Sequence, residues 1–286
     1  MPIRVPKGLP AANILAKEGV SLIGEDQARQ QDIRPLKIAL LNLMPLKQQT
    51  ECQIGRLIGN TPLQLDLTLL TTGTYESKNV TEGHLQSYYS TFEDVKDQKF
   101  DGLIITGAPI ETLEFEDVVY WKELQAIFDW SETNVHSLFS ICWGGQAALY
   151  HFHQVPKHEL PQQRFGVYRH NNVAPTSPIM IGINDNLPVP VSRHTEVRIA
   201  DLPTDKGLRV LAESPDAGLC LLDEMSARRF YMFNHLEYDA ETLKGEYDRD
   251  ASKRDDVPLP LNYFPDDNPT NPPVNTWRSH AHMLYG

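Results

Sequence analysis

Three apolar runs of strand length, each followed by a segment with helical spacing, restrict this chain to one class of fold. Lys37-Ile-Ala-Leu-Leu-Asn-Leu-Met44 is almost continuously apolar, as expected of a parallel strand covered by helices on both faces. A helical segment follows at 48–58, with Ile54, Leu57 and Ile58 on one side. Residues 63–70 alternate Leu with polar residues and read as a strand, and 81–97 carries Leu85, Tyr88, Tyr89 and Phe92 at three- and four-residue intervals, predicting a second helix. The run 101–107 is another buried strand, ended by the turn Gly107-Ala-Pro109, and 117–131 is again helical. The strand 136–141 then runs directly into Cys142 and a helix over 143–150. This alternation is that of an α/β open doubly wound parallel sheet, whose ligands bind at the carboxyl ends of the strands, where Gly107 and Cys142 fall.

From Gln163 to Asn234 the pattern changes to short strands, at 207–213, 218–222 and 229–234, with a helix starting near Ala240. Six prolines between Pro258 and Pro273 predict an extended, ordered loop wrapped over the rest. With no linker-like composition, residues 1–286 read as one domain whose N-terminal and Pro-rich C-terminal extensions pack on it. The charge balance, 26 − 38 = −12, argues against a nucleic-acid surface. No apolar run is long enough for a membrane span, and residues 1–32 lack a secretory signal. Cys52, Cys142 and Cys220 are odd in number and far apart, which fits reduced thiols and a cytoplasmic protein.

Cys142 is the most informative residue. A thiol at a sharp strand-to-helix junction sits at a helix N-terminus, whose partial positive charge favours thiolate, and Gly144 and Gly145 let other atoms approach. A buried, purely packing cysteine is the plain alternative there, and it is the preferred reading for Cys52 and Cys220. A nucleophilic thiol needs a base, and the base an orienting group. His235-Leu-Glu237, following an apolar strand, supplies both, because residues i and i+2 of an extended chain project to one side. Taken alone, His-x-Glu more often describes a surface histidine before a helix, where an acid is commonplace. His151/His153 and His280/His282 alternate as strand metal ligands do, but lack a third ligand at a suitable spacing, so no metal is expected. The Asn79-Val-Thr81 sequon has no meaning without a secretory signal. No glycine-rich phosphate loop follows a strand.

Together, Leu41-Asn-Leu-Met-Pro45, Phe100 to Pro109, Ile141-Cys-Trp-Gly-Gly-Gln146, Ser192-Arg-His-Thr-Glu196, His235-Leu-Glu-Tyr-Asp239 and Trp277-Arg-Ser-His-Ala-His282 resemble the homoserine O-acyltransferase family, in its branch related to class I glutamine amidotransferases. The similarity spans essentially the whole chain. It implies a flavodoxin-like, glutamine-amidotransferase-like fold and ping-pong transfer from an acyl-coenzyme A to the hydroxyl of L-homoserine or L-serine. By this resemblance Cys142 is the acyl-thioester nucleophile, His235 the general base and Glu237 its orienter. The N–H groups of Trp143 and Ala108 form the oxyanion hole, Arg249 grips the acceptor carboxylate, and Ser192 and Gln163 line the acceptor pocket. Glu111 stands where the family reads the acyl group, Glu going with acetyl and Gly with succinyl. The resemblance therefore implies acetyl-coenzyme A as co-substrate, no bound cofactor, small-molecule partners only, and a homodimer. Gln163 replaces a usual Lys with Arg164 adjacent, Val191 a usual His, and Arg169 a usual acid. Those changes sit around the acceptor pocket and leave both serine and homoserine open. Two other readings fit the same residues: an amide-hydrolysing glutamine amidotransferase, and a non-catalytic protein with a redox-sensitive cysteine.

Overall fold

The computed structural model describes residues 3–20, 22–24, 34–74, 82–254 and 256–286. Three parallel strands form its centre: β3 (Leu36–Leu41), β6 (Phe100–Ile105) and β7 (Val135–Ile141). Their apolar runs feed two cores by strict alternation. Ala39, Leu41, Leu103 and Ile105 face one side, while Leu40 and Ile104 face the other. Because side chains alternate across a strand, a run apolar at every position requires cover on both faces. That cover comes from α2 (Lys47–Ile58), with α1 (Pro10–Lys17), on one side. On the other lie α5 (Trp121–Asn134) and α6 (Trp143–His153).

Around this centre lie β1 (Ile3–Arg4), β2 (Leu22–Ile23), β4 (Leu65–Leu70), β5 (Tyr89–Ser90), β8 (His158–Asn172), β9 (Asn186–Glu196), β10 (Arg209–Ser214), β11 (Gly218–Glu224) and β12 (Arg229–Met232). The described strands make one twelve-stranded sheet, ordered β2-β1-β4-β3-β6-β7-β12-β11-β10-β8-β9, with β5 pairing β4. Pairing is parallel from β2 through β12 and antiparallel through β11, β10, β8 and β9. No helix among the described residues is long and apolar enough to cross a membrane.

Three stretches differ from the sequence reading. The helix expected over 81–97 is broken into α3 (Glu82–Tyr88) and α4 (Phe92–Val95) by β5, where Tyr89 and Ser90 pair with Leu69 and Leu70. Thr91 then restarts the helix, with the Asp94 carboxylate accepting from its N–H at 2.8 Å and its hydroxyl at 2.7 Å. Between 163 and 196 the short strands are instead two long ones, β8 and β9. Pro188 and Pro190 look like breaks in the sequence, but β9 is the sheet edge, where a residue without an N–H is tolerated. Downstream, α7 (Thr242–Ala251) lies where a helix is expected, and the proline-rich segment is extended. The chain then ends in a helix, α8 (Arg278–Tyr285), that the sequence reading did not contain. It is held by Trp277, fully buried, whose Nε1 donates to Tyr238 O at 2.8 Å. The Asn79 sequon lies outside the described residues.

Gly166 is what lets the proline-rich segment dock. It has φ +142, and Leu261 bonds across it: Leu261 N–H donates to Phe165 O and Val167 N–H to Leu261 O, at 2.9 and 2.8 Å. A Cβ on Gly166 would overlap the Leu261 backbone N and O. Gly166→Ala is therefore expected to lower unfolding stability by about 1–3 kcal/mol and to speed hydrogen exchange at the Val167 amide. An unchanged urea midpoint with unchanged exchange would contradict this account.

Candidate active site

The site is built on the backbone of Cys142. The residue has φ 52 and ψ −120, a region that costs a side-chain-bearing residue of order 1–3 kcal/mol. Its N–H donates to Met232 O at 2.6 Å, tying the elbow to the neighbouring strand β12, and its carbonyl accepts from Gln146 N–H at 3.1 Å to start α6. Three glycines make room. A Cβ on Gly107 would come 3.1 Å from Cys142 Cβ, one on Gly144 2.5 Å from Thr106 O, and one on Gly145 3.0 Å from Met232 O. The N–H groups of Trp143 and Ala108 have no protein acceptor among the described residues, so both are free for an oxyanion beside the thiol.

β12 runs parallel to β7 with Met232 opposite Ile141, so the two strands end together and the segment after β12 passes beside Cys142. His235 is anchored there by its N–H donating to Pro190 O at 2.9 Å. Its Nδ1 lies 2.6 Å from Glu237 Oε1, which leaves Nε2 for the Cys142 side chain, with which the ring is hydrogen-bonded. The Tyr238 ring stacks on the imidazole at 4.2 Å and 19°. Burial disfavours the imidazolium, but the adjacent Cys142 and Glu237 outweigh it, and the His235 pKa is raised well above 6.5.

A cavity of about 700 Å³ opens over this pair. Glu111, Gln163, Ser192 and Arg249 all line it, so every site residue expected from the sequence except Glu237 and Trp143 borders one space with Cys142 and His235. Gln163 Nε2 donates to Ser192 Oγ at 3.4 Å. Glu111 Oε1 accepts from His194 N–H at 2.8 Å, and Glu111 Oε2 lies 3.2 Å from the Thr195 hydroxyl. The exposed Arg249 is bidentate to Asp250, at 2.8 and 2.9 Å. Val191 is fully buried, and Arg169 is exposed. A larger cavity, about 1010 Å³, lies beyond Glu237 but touches neither Cys142 nor His235, so the chemistry belongs to the smaller one. His151 and His153 are paired with Asp129 and Glu224, at 2.8 and 3.0 Å.

A family model described as homoserine O-succinyltransferase matches residues 2–286. The chain belongs to the homoserine O-succinyltransferase family. Proteins named homoserine O-acetyltransferase from Roseobacter denitrificans and Allorhizobium ampelinum are 53% and 55% identical to it over 286 residues, covering 100% of this chain and 94% and 93% of theirs. Among solved structures, glutamine amidotransferases from Methylobacillus flagellatus and Thermotoga maritima share the fold, with TM-scores of 0.55 and 0.56. Their identities are 12% and 14%, covering 89% of this chain and 93% and 95% of theirs. The glutamine-amidotransferase-like fold expected from the sequence is the one found. Members of the homoserine O-succinyltransferase family are acyltransferases by name, and this chain carries that assignment with it.

Sequence reasoning missed the residues that support the site. Tyr238 lies inside the His235-to-Asp239 motif, but its stacking on His235 has no sequence signature. Glu246 precedes Arg249 by three positions, the spacing of neighbours on one helix face, and that signal was available. Arg193 is fully buried. Burial lowers its pKa, and its Nη1 donates to Thr195 O at 2.9 Å while its Nη2 donates to Ala217 O.

The other two thiols are inert by environment. Burial pushes Cys52 up to about 11 and Cys220 up to about 12. Iodoacetamide at neutral pH is thus expected to alkylate Cys142 at least ~10-fold faster than either, read by peptide mapping. Equal labelling of the three would contradict an activated Cys142.

Proposed function

We propose that this chain moves an acetyl group from acetyl-coenzyme A, through a thioester on Cys142, to the side-chain hydroxyl of L-homoserine. The observation that supports it most is Cys142 at a strained elbow, bonded to a Glu237-held imidazole, in a cavity that also contains Glu111 and Arg249. In the first half-reaction the Cys142 thiolate attacks the donor carbonyl while the Trp143 and Ala108 N–H groups hold the oxyanion. The C–S bond to coenzyme A breaks, and the departing thiolate takes the proton from His235. Acylation removes the negative charge of Cys142, one of the two groups that raise the His235 pKa. The imidazole thereby becomes a neutral base suited to take the homoserine hydroxyl proton. Attack of that oxygen releases O-acetylhomoserine and restores the thiolate–imidazolium pair. Arg249 receives the acceptor carboxylate, with Ser192 and Gln163 beside it.

The name homoserine O-acetyltransferase, carried by the Roseobacter denitrificans and Allorhizobium ampelinum relatives, supports homoserine over serine and acetyl over succinyl. Glu111 supplies the physical reason for acetyl. A succinyl group ends in a carboxylate, and unit charges of like sign 4 Å apart repel by about 4 kcal/mol at an effective dielectric of 20. By resemblance the enzyme is a cytoplasmic homodimer with no bound cofactor, and light scattering reads its mass directly.

Mixing with acetyl-coenzyme A should add one acetyl mass to Cys142, and Cys142→Ser should show neither thioester nor turnover. Glutaminase activity without this adduct would favour the amidotransferase reading. The raised His235 pKa keeps the imidazolium, which protonates the leaving coenzyme A, to higher pH, so kcat/KM for the donor should retain its alkaline limb well above pH 6.5. Activity lost with a midpoint at or below pH 6.5 on the alkaline side would contradict this role of His235. Finally, Glu111→Gly is expected to gain measurable use of succinyl-coenzyme A, and an unchanged donor ratio would show that Glu111 does not read the acyl group.

A further inference from the structure

The Glu237 carboxylate has two oxygens, and His235 uses one of them. Oε1 lies 2.6 Å from His235 Nδ1, while Oε2 is buried with no hydrogen-bond partner among the described residues. A charged oxygen withdrawn from water and left unpaired is costly, and nothing on that side keeps the carboxylate turned toward the ring it holds. A donor is required behind it.

The helix α8 carries the candidates. Trp277, Ala281 and Tyr285 are four positions apart and so share one face of the helix, and all three pack in the apolar cluster of Leu236 and Tyr238, the chain neighbours of Glu237. Trp277 Nε1 is already committed to Tyr238 O at 2.8 Å. Tyr285 reaches further: it also packs on the cluster that contains Cys142, its ring is 5.1 Å from that of Phe139, and its hydroxyl is buried without a partner. Burial and then the Glu237 carboxylate push this phenol well above 10, so Glu237 is the charge that acts on it most. The Nδ1 atoms of His280 and His282, on the same helix, are also unpaired. Burial alone lowers His280, however, and the charges that act on His282 are those of Arg278 and Arg56. The orphaned donor that answers the orphaned acceptor is therefore Tyr285.

We propose that the Tyr285 hydroxyl donates to Glu237 Oε2, directly or through one water, and that Tyr285 is a positioning residue for the base. The inference rests on the acyl-transfer reading above. With both oxygens engaged, the carboxylate stays on His235 Nδ1 and keeps Nε2 turned to Cys142. Tyr285 gives up no proton in either half-reaction.

A double-mutant cycle of Tyr285→Phe and Glu237→Ala tests this. Phenylalanine keeps the ring against Phe139 and removes only the hydroxyl. We expect Tyr285→Phe to slow both the acetylation of Cys142 and the transfer from acetyl-enzyme to homoserine by about tenfold, because His235 serves both steps, with KM for homoserine unchanged. In the Glu237→Ala background the same substitution should change either rate by less than about twofold. An equal loss in both backgrounds would mean that Tyr285 only packs, and undiminished rates in the presence of Glu237 would mean that its hydroxyl does nothing for the base. Either result overturns the proposal. Urea unfolding of the same four proteins reads the contact directly: the midpoint should fall in Tyr285→Phe when Glu237 is present and not when it is absent. Removal of a hydroxyl that has no partner would instead leave the midpoint unchanged or raise it, and that outcome also overturns the bond. A wild type that transfers no acetyl group to homoserine defeats the parent reading alone. Alkylation of Cys142 by iodoacetamide, which needs no substrate, then decides Tyr285: a slower rate in Tyr285→Phe only where Glu237 is present supports the relay, and any other pattern overturns it.

Discussion

The backbone of Cys142 is the constraint on which the site depends. A residue with a side chain reaches φ 52 and ψ −120 only where its surroundings leave no relaxed alternative. Here the restraint is the hydrogen bond from its N–H to Met232 O, together with a helix packed into the core from its first residue. Trp143, Gly144, Gly145, Gln146, Ala147, Ala148 and Leu149 are all buried. Gly144 and Gly145 let this helix start against the carbonyls of Thr106 and Met232, so the strand ends on either side of β7 fix the elbow from both flanks. The geometry of Cys142 is thus a property of the sheet, which a local loop would hold less rigidly.

The same strand that holds the thiol also brings His235 to it. Parallel pairing of β12 with β7 makes both strands end at one edge, and His235 follows Met232, opposite Ile141, by three positions. An antiparallel neighbour would have carried the histidine to the opposite end of the sheet. This explains why β12 is parallel to β7 although the next four strands in the sheet are antiparallel. The imidazole is buried against Tyr238 and held by Glu237, and the adjacent Cys142 and Glu237 together outweigh its burial in raising its pKa.

How much of this was legible follows from where the constraints are local. Residues 37–44, 101–107 and 136–141 declared themselves because a parallel strand covered on both faces must be apolar at nearly every position, and Cys142 was legible as the point where such a strand meets a helix. The His235–Glu237 pairing was legible because it spans two positions. Long β8 and β9 were not, because their prolines are tolerated only by an edge strand, and edge position is a property of the assembled sheet. The interruption at Tyr89 depends on pairing with Leu69 and Leu70, and α8 on the site that Trp277 finds against Tyr238, neither of which has a local signal. The support of Glu111 by His194 and Thr195 joins residues more than eighty positions apart.

The two ends of the cavity are held by different parts of the fold. Glu111 is tied to β9 through His194 and Thr195, and Thr195 Oγ1 lies 3.0 Å from the side-chain amide of Gln146, on the helix that Cys142 begins. Since Thr195 has one hydroxyl proton to give, directing it to the Glu111 carboxylate requires Gln146 to turn its NH₂ toward the Thr195 oxygen. Glu111 is thereby linked through β9 to the helix that Cys142 begins. Across the cavity Arg249 stands on α7, exposed and bidentate to Asp250. One wall is thus built into the sheet, while the other ends in a surface ion pair that can exchange partners. On the acyl-transfer reading proposed above, the first wall would face the donor and the second the acceptor.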